Sequence, residues 1–479
     1  MNRNIVRRKN LLYLEIARCI EKQIETAVLK VGDKLPSIRM VCRQHGISMT
    51  TAQFAFYELE KKSLIAPRPR SGYYVSNTLK KRLDIPAASK PVNNKPAKSP
   101  KDVFEALYDA ATQKNITFFS RGVPAEELLP IAKLNKELLR AMREMKGSGT
   151  LYEPLQGNEN LRRQVARWSF SWKGNLAHDD IVTTAGCISA ISYCMMALTK
   201  RGDTIAVESP CFYGILQLAN SMGLKVLELP TSPQTGVDLD ALKNVLSKNK
   251  VALCLFVSNF SNPLGSMMPD EHKRKAVQIL EHYNVPLIED DLYGDIYFGD
   301  SRPTCCKTYD ESGNVLWCGS VSKTLAPGYR VGWVAPGKYK EAVSRVKLFH
   351  SLYSTSITHQ VIAGFLENGR YEAHLRKFRH TLHTNYLQYV RVISEQFPAG
   401  TKISRPQGGL SIWIELPKGI DTMELYEDAM RNKISISPGG MFTLQQQFGN
   451  CMRLGYGLQW GDKVENGLKT IGRLARAYY

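Results

Sequence analysis

Residues 318–333 decide how the chain is interpreted, and they read Cys318-Gly319-Ser320-Val321-Ser322-Lys323-Thr324-Leu325-Ala326-Pro327-Gly328-Tyr329-Arg330-Val331-Gly332-Trp333. Small and hydroxyl side chains surround Lys323, and Arg330 follows it in the same stretch. A lysine at the buried end of a strand is costly as an ammonium ion, so its pKa falls and its amine becomes nucleophilic. Most lysines instead lie on the surface, so the stretch indicates a reactive amine only if other parts of the chain complete a site.

The composition is that of a soluble globular protein with room for two or three domains. The chain has 479 residues, 43% of them hydrophobic, and its longest apolar runs, such as residues 251–257, are too short to span a bilayer. The basic N-terminus has no apolar signal core, so we expect a cytoplasmic protein without a membrane partner. Ten scattered cysteines without C-x-x-C spacing argue against a metal site and against a disulfide framework.

The positive charge is concentrated at the N-terminal end of the chain. The whole chain carries a net +20, and residues 1–100 hold 20 Lys and Arg against 7 Asp and Glu, a net +13. Segregated positive charge is typical of proteins that bind a polyanion. A solvated basic face would carry the same charge, so a polyanion partner is indicated only if the sequence pattern of this region also points to one.

Residues 10–76 have the pattern of a helix-turn-helix followed by two short strands. Apolar residues between Leu12 and Ala27 fall on one helical face, and Ser37 and Ser48 are well placed to cap a second and a third helix. Residues 64–75 read as two strands around a basic turn, a wing. The alternative is a small three-helix accessory domain with no nucleic-acid partner.

The third helix has the polar start that a DNA-recognition helix needs. Such a helix enters the major groove with its first residues facing the base edges. The residues at that position are Ser48, Met49, Thr50, Thr51 and Gln53. Their short polar side chains can reach bases and phosphates. The arginines placed for phosphate contacts are Arg39, Arg68 and Arg70. We therefore expect this part of the chain to bind double-stranded DNA.

The same stretch resembles the winged helix of GntR-type bacterial regulators over about residues 10–76. The motifs that carry the resemblance are Leu35-Pro36-Ser37-Ile38-Arg39, Gly46-Ile47-Ser48, Thr50-Thr51 and Ser71-Gly72-Tyr73-Tyr74-Val75. The resemblance implies that five residues lie at DNA, namely Arg39, Ser48, Thr50, Thr51 and Gly72. The position after Ser48 is often basic in that family and is Met49 here, which implies a different base preference.

The winged-helix domain is predicted to cover residues 1–78, and the sequence after it divides into two further segments. Residues 79–102 are rich in Pro and Lys and predict an extended basic linker. In residues 103–479, strands alternate with helices, which is typical of an α/β domain with a mostly parallel sheet and helices on both faces. Longer helices then precede a smaller C-terminal α+β part.

Chemically suited side chains follow several of the predicted strands, where ligands bind in such sheets. Gly186 opens a helix whose first N–H groups can bind phosphate. Asn262, in the turn with Pro263, can hydrogen-bond a phenolate oxygen. Asp290 can keep a pyridine nitrogen protonated, and Tyr293 can donate to an oxygen on the same ring.

Two arginines would complete such a site. Arg330 suits bidentate phosphate binding, and Arg453 suits a carboxylate. Each feature is commonly structural when it occurs alone. Together with the amine of Lys323, they favour a site for pyridoxal 5′-phosphate, an aldehyde cofactor with a phosphate group.

The constellation resembles the fold-type I pyridoxal-phosphate enzymes, the aspartate aminotransferase superfamily, over about residues 115–479. The motifs are S-N-x-x-N-P-L-G at 258–265, E-D-D-x-Y at 289–293 and G-S-x-S-K-x-L-x-P-G-x-R-x-G-W at 319–333. The resemblance implies the fold-type I aminotransferase-like fold. It also implies that Lys323 forms the internal aldimine, that Asp290 pairs with the pyridine nitrogen and that Tyr293 contacts O3′.

The resemblance also assigns the remaining residues. Asn262 would contact O3′ and the substrate, and Phe212 would stack on the ring. The residues implied to hold the phosphate are Gly186, Cys187, Ser320 and Arg330. Tyr152 would reach the phosphate of a second subunit, which implies a homodimer, and Arg453 would bind the α-carboxylate of an amino acid. Relatives commonly have glutamine where this chain has Ile188, so phosphate binding would rely more on the backbone and Arg330.

A winged helix joined to an aminotransferase-like domain resembles the MocR subfamily of transcriptional regulators, and within it the YdcR-like members. The resemblance implies a regulator that senses an amino acid or amine through an external aldimine at Lys323. An active aminotransferase with an accessory DNA-binding domain is the alternative, because no expected catalytic group is missing. A DNA-binding protein with an inactive second domain, and so without cofactor, is a third interpretation.

Overall fold

The computed structural model describes residues 2–62, 64–68, 71–76, 83–92 and 115–478. Its contacts divide the chain into two compact units, which are Met1–Leu83 with His383–Phe397, and Asp84–Leu382 with Pro398–Tyr479. Arg70 and most of the predicted linker lie outside the described residues. The predicted domain boundaries therefore stay a prediction.

The N-terminal unit contains the three helices and two strands that the sequence predicts. They are α1 (Asn2–Glu25), α2 (Ile38–His45), α3 (Met49–Lys61), β1 (Ile65–Arg68) and β2 (Gly72–Val75). Their core is a buried cluster that includes Ile16, Val41, Phe56 and Leu59. The Ser37 Oγ caps α2 by accepting from Met40 N at 3.2 Å, and Gly46 ends it with φ +62°.

The wing is an antiparallel ladder that pairs Ile65 with Val75 and Arg68 with Gly72. Gly72 has φ +100°, a conformation that glycine adopts at little cost. Glycine is therefore well suited to the first position of β2.

The larger unit is built on an eight-stranded sheet, which agrees with the predicted α/β fold. Its strands are β4 (Val182–Thr184), β5 (Thr204–Ser209), β6 (Lys225–Ser232), β7 (Gly236–Val237), β8 (Val251–Phe256), β9 (Leu287–Asp290), β10 (Val315–Ser320) and β11 (Gly332–Ala335). The order across the sheet is β4-β11-β10-β9-β8-β5-β6-β7. Strand β11 is antiparallel to both neighbours and β7 is antiparallel to β6, while the central strands are parallel.

Both faces of this sheet are covered. The described α-helices after residue 115 are α4 (Ile131–Glu144), α5 (Glu159–Ser169), α6 (Cys187–Leu198), α7 (Tyr213–Ser221), α8 (Leu239–Lys248), α9 (Asp270–His282), α10 (Lys340–Ser351), α11 (Ser356–Glu367), α12 (Arg370–Gln396), α13 (Thr422–Arg431) and α14 (Asp462–Ala477), and of these α12 belongs to the larger unit only as far as Leu382. Strand β5 sends Ile205 and Val207 into one buried cluster, with α6 and α7, and Ala206 into another, with α8 and α9. Alternate residues of one strand thus face opposite layers of helices.

The predicted smaller mixed part contains a second sheet. Its strands are β12 (Lys402–Ile403), β13 (Ser411–Glu415), β15 (Ser437–Pro438) and β16 (Cys451–Gly455), all antiparallel. A separate parallel pair joins β3 (Thr117–Phe118) to β14 (Ile434–Ser435). Segments more than 300 residues apart in the sequence therefore lie side by side in this unit.

The described part of the predicted linker, residues 83–92, is fastened to the larger unit. Ser89 N donates to Thr231 O at 3.1 Å, and Thr231 N donates to Ser89 Oγ at 2.8 Å. The Ser89 hydroxyl donates in turn to Ser209 O at 2.6 Å. These bonds attach residue 89 to the ends of β5 and β6.

None of the helices in the described part of the chain has the length and apolar character needed to cross a membrane. All ten cysteines are free, and within the described residues no group of acidic, histidine and cysteine side chains could hold a metal ion.

Candidate functional site

The strand register brings the predicted site residues to one edge of the large sheet. Strand β9 ends at Asp290, which pairs with Cys318 of β10. Ser320 at the end of β10 pairs with Gly332 of β11, which pairs in turn with Thr184 of β4. The antiparallel β11 therefore lies between the end of β10 and the turn before α6.

Lys323 lies in a turn directly after β10. The Leu325 N–H donates to Val321 O at 2.9 Å and closes this turn around the lysine. The pKa of Lys323 is lowered to about 8, chiefly because burial disfavours the ammonium form, and the positive charge of Arg453 lowers it further. At this pKa about a tenth of Lys323 is neutral at pH 7, against less than about a thousandth for an ordinary lysine, so its amine is the more nucleophilic of the two.

Asp290 is buried beside this amine. Its Oδ1 accepts from Leu292 N at 3.2 Å and from the thiol of Cys187 at 3.2 Å. Burial raises its pKa to about 6, and the two hydrogen bonds and the charge of Lys323 oppose that rise. The carboxyl group therefore changes charge near neutral pH and can exchange a proton with a neighbouring base.

A chain of hydrogen bonds joins Tyr293, Asn262 and Arg453. Asn262 Nδ2 donates to the Tyr293 hydroxyl at 3.3 Å, and Arg453 Nη1 donates to Asn262 Oδ1 at 2.9 Å. Tyr293 is buried, and burial raises its pKa so that it stays a phenol. The structure thus brings together three residues that stand far apart in the sequence.

Arg453 is held on several sides but keeps one unused donor. Its Nη2 donates to Ser437 Oγ at 3.0 Å and also to the carbonyl of Ser120. Its Nε is buried and has no hydrogen-bond partner among the described residues. A buried donor without a partner is costly, so this guanidinium is suited to receive an anionic group.

The predicted phosphate residues form a tight cradle at the start of α6. Gly186 has φ +94°, and a Cβ atom there would lie 2.5 Å from Arg330 Nη2. The Arg330 Nη2 donates to Ala185 O at 3.1 Å. Cys187 begins the helix, and the Ser320 hydroxyl donates to Val331 O at 2.7 Å, one strand away. First-turn N–H groups and a guanidinium at one place suit a phosphate group.

The last two predicted cofactor residues differ in their surroundings. Phe212 directly precedes α7, is partly buried and packs on the core cluster beneath the sheet edge. Tyr152 is 84% exposed, and its ring stacks on Tyr353 with centroids 4.6 Å apart. Tyr152 is therefore presented to the outside of the single chain.

Three contacts of the site were missed by sequence reasoning. Cys187 was assigned to phosphate through its place in a motif, whereas its thiol bonds Asp290. Behind the lysine, His374 Nε2 of α12 hydrogen-bonds Thr324 O at 2.7 Å, and the Tyr371 hydroxyl lies 2.9 Å from Thr324 Oγ1. No local signal points to them, because the partners stand far apart in the chain.

In the N-terminal unit, the predicted DNA-contacting residues begin at the start of α3. Ser48 caps this helix by accepting from Thr51 N at 3.1 Å, and the two hydroxyls are 2.8 Å apart. Arg39 and Gln53 are exposed. The side chain of Thr50 lies outside the described residues, although its backbone belongs to α3.

Of the two arginines predicted in the wing, the structure describes Arg68. The Arg68 guanidinium lies 4.1 Å from the centre of the Tyr74 ring, a cation–π contact that holds it against the strand pair. Lys34, which the sequence analysis did not select, lies 6.0 Å from the same ring. The wing thus places two cations near Gly72, whereas Arg70 lies outside the described residues.

Known families match both parts of the chain. Residues 115–461 match the family of class I and II aminotransferases, and residues 12–75 match the gntR family of bacterial regulatory proteins.

Full-length relatives share both parts. The uncharacterized HTH-type transcriptional regulator YjiR of Escherichia coli (strain K12) is 35% identical over 460 residues, which cover 96% of this chain and 98% of that protein. The uncharacterized HTH-type transcriptional regulator YdcR of the same strain is 34% identical over 463 residues, with the same two coverages.

A solved structure supports the fold of the larger unit. The α-aminoadipate aminotransferase LysN of Thermus thermophilus, complexed with N-(5′-phosphopyridoxyl)-L-leucine, superposes with a TM-score of 0.72 at 26% identity. The match covers 80% of this chain and 95% of LysN.

Proposed function

The chain belongs to the GntR-type regulators that carry a class I and II aminotransferase domain, the MocR architecture, and we propose that its DNA binding responds to an amino acid or amine bound near Lys323. The observation that carries the proposal is the presence of both sites in one chain. One is a winged helix with an exposed polar recognition face, and the other contains a lysine whose pKa is lowered to about 8.

Pyridoxal 5′-phosphate fits the residues around Lys323. The cradle at Gly186 and Arg330 suits its phosphate, and buried Asp290 suits its ring nitrogen. Because a Cβ at residue 186 would meet the Arg330 guanidinium, the glycine keeps this space open. When bound, the cofactor supplies an aldehyde that condenses with amines and a ring that accepts electron density.

The side chains divide the remaining tasks. Lys323 provides a neutral amine that attacks a carbonyl and can later accept or return a proton at its Nζ. The Asp290 carboxylate would pair with the protonated ring nitrogen, and the Tyr293 phenol, to which Asn262 donates, would hydrogen-bond a ring oxygen. Arg453, with its unused Nε, binds the carboxylate of an incoming amino acid.

A homodimer is the proposed assembly. A group of large apolar side chains is exposed on the single chain, comprising Leu151, Tyr152, Phe349, Leu352 and Tyr353. Apolar groups of this kind on a folded unit mark interaction surfaces. We propose that a second copy covers them and that Tyr152 thereby reaches the partner's phosphate site.

DNA is the proposed macromolecular partner, which would place the protein in the bacterial cytoplasm. The start of α3 would read bases, and Arg39 and Arg68 would contact phosphates. Ligand binding at Lys323 can alter DNA affinity only to the extent that the ligand binds two states of the dimer differently. The proposal therefore requires reciprocal coupling between the two sites.

The coupling is tested by titrating full-length protein with duplex DNA from upstream of its own gene, with and without each of a panel of amino acids. We expect one amino acid to shift both the DNA affinity and the cofactor absorbance. Lys323→Ala should abolish the shift in affinity, whereas Lys338→Ala, which changes an exposed lysine, should retain it. An equal amino-acid response in the Lys323→Ala protein would contradict the proposal.

An active aminotransferase is the second candidate, and one observation favours it. Lys323, Asp290, Tyr293 and Arg453 are all present and lie together, so no expected catalytic group is missing. Steady-state assays with an amino-acid panel and 2-oxo acids distinguish the candidates. Turnover of about 1–10³ per second would make catalysis the main activity, since ordinary enzymes work in that range.

A further inference from the structure

A cleft adjoins the turn that carries Lys323, because His374 lines it and hydrogen-bonds Thr324 O. It has a volume of about 500 Å³ and is formed by the start of α4, the chain just before it and the first turns of α12. A cleft of this volume is in the range that holds small molecules. None of the residues predicted to bind cofactor or substrate lines it.

The charged groups of this cleft favour an anion. Lys133 from α4 and Lys377 from α12 line it and are exposed. Both lie close enough to His374 that their positive charges lower its pKa, in addition to the larger effect of burial. Glu127 is the acidic residue among those that line the cleft, so the two lysines leave a positive excess.

The other walls of the cleft are apolar and rigid. Ile131 is 39% exposed at the start of α4, and the ring of Phe378 stacks on His374 with centroids 5.3 Å apart. The start of α4 also carries a partial positive charge, although the N–H groups of Ile131 and Lys133 already donate to Leu129 O and Pro130 O. The cleft thus combines apolar side chains with two cations and the start of a helix.

The floor of the cleft adjoins the predicted cofactor site. His374 Nε2 donates to Thr324 O at 2.7 Å, and Thr324 directly follows Lys323. Lys323 itself lies close enough to Asp290 and Arg453 that their charges shift its pKa, and neither of these two residues lines the cleft. The cleft is therefore separate from the amine site but shares one element of backbone with it.

We propose that this cleft binds a small organic anion with an apolar body and one carboxylate, whose charged end lies between Lys133 and Lys377. The carboxylate gains two charge-assisted contacts, and the apolar body lies against Ile131 and the adjoining Leu129 and Pro130. This second ligand site goes beyond the proposed response to an amino acid at Lys323. Either site could exist without the other.

The probe for the test is naphthalene-2-carboxylate, titrated calorimetrically into full-length protein saturated with pyridoxal phosphate. We expect saturable binding that becomes at least about tenfold weaker in the Lys133→Glu/Lys377→Glu protein. The neutral analogue naphthalene-2-methanol should bind about tenfold more weakly than the acid. The milder Lys377→Gln variant, with folding checked by circular dichroism, should weaken binding in the same direction.

The matched controls reverse charge on the same two helices outside the cleft. Lys136→Glu on α4 and Arg376→Glu on α12 change exposed cations that do not line it. They should leave the affinity within about twofold of wild type. An absence of saturable binding, equal affinity for acid and alcohol, or equal loss in controls and cleft variants would each overturn the proposal.

Discussion

The Sγ atom of Cys187 lies 3.2 Å from Oδ1 of Asp290, so the first residue of α6 bonds the last residue of β9. Both side chains are buried. The thiol is kept protonated because burial and the neighbouring carboxylate raise its pKa. It therefore acts as a hydrogen-bond donor that favours the ionised form of Asp290.

Cys187→Ala should raise the pKa of Asp290 above its value of about 6. Loss of one hydrogen bond worth about 1 kcal/mol corresponds to a rise of roughly 0.7 units. Infrared difference spectra of the carboxyl band, assigned with Asp290→Asn, report the midpoint. Cys187→Ser should keep it near wild type, and Cys254→Ala is the control for a buried thiol elsewhere in the sheet. An unchanged midpoint in Cys187→Ala would show that the thiol does not stabilise the carboxylate.

Lys323→Met should stabilise the cofactor-free protein at pH 7. The pKa of Lys323 is about 8 in the folded protein and about 10.5 in the unfolded chain. Between pH 8 and pH 10.5 the unfolded state binds more protons than the folded state, so the free energy of unfolding rises with pH. Below pH 8 the lysine is charged in both states, and the folded protein bears the full free-energy cost of burying that charge.

The expected gain from Lys323→Met is about 3 kcal/mol at pH 7, measured by urea denaturation, and it should shrink as the pH approaches 10. Lys338→Met alters an exposed lysine and should change the stability by less than about 0.5 kcal/mol. A gain that did not depend on pH would indicate better packing rather than relief of a buried charge.

Gly186→Ala should weaken pyridoxal-phosphate binding by about tenfold or more, because the new Cβ would displace the Arg330 guanidinium. Gly202→Ala is a close control, since Gly202 has φ +92° and no atom within 4 Å of the added Cβ. Both variants should lose about 1–2 kcal/mol of stability through backbone strain. Only Gly186→Ala should also lose cofactor affinity, measured by absorbance titration. Equal affinities for pyridoxal phosphate in the two variants would show that Gly186 and Arg330 do not form its phosphate site.

Arg39→Ala should weaken DNA binding to a similar extent for all sequences. Removing one phosphate contact lowers the slope of log affinity against log salt by about one. Fluorescence anisotropy of a labelled upstream duplex at several salt concentrations measures this slope. Arg18→Ala removes an exposed arginine from α1, and we expect it to leave the slope unchanged. A steeper or unaltered slope for Arg39→Ala would show that Arg39 does not contact a DNA phosphate.

The parts predicted best from the sequence are those set by local signals. Ser37 and Ser48 were chosen as helix caps because their side chains satisfy nearby N–H groups, and both do so in the structure. The alternation of strands and helices likewise identified the α/β fold, since each element has its own hydrophobic period. The family match then confirmed the fold class.

The parts that were missed depend on contacts between distant residues. Strand β11 was quoted as part of a motif, but its antiparallel place between β4 and β10 is decided by pairing across the sheet. The longer helices predicted after the large sheet are three in number, and Leu352 at φ +55° separates the first two, a break that no residue signal marked. The bond from Cys187 to Asp290 spans 103 positions, beyond any local pattern.

The anchoring of Ser89 has a practical consequence for dividing the protein into parts. A fragment that began at residue 103, at the end of the predicted linker, would leave the Thr231 N–H and the Ser209 carbonyl without these partners. A fragment that began at Asp84 would keep them and also the bond from Ile403 N to Asp84 O. A fragment that contains the larger unit should therefore begin near Asp84, which lies well before the end of the predicted linker.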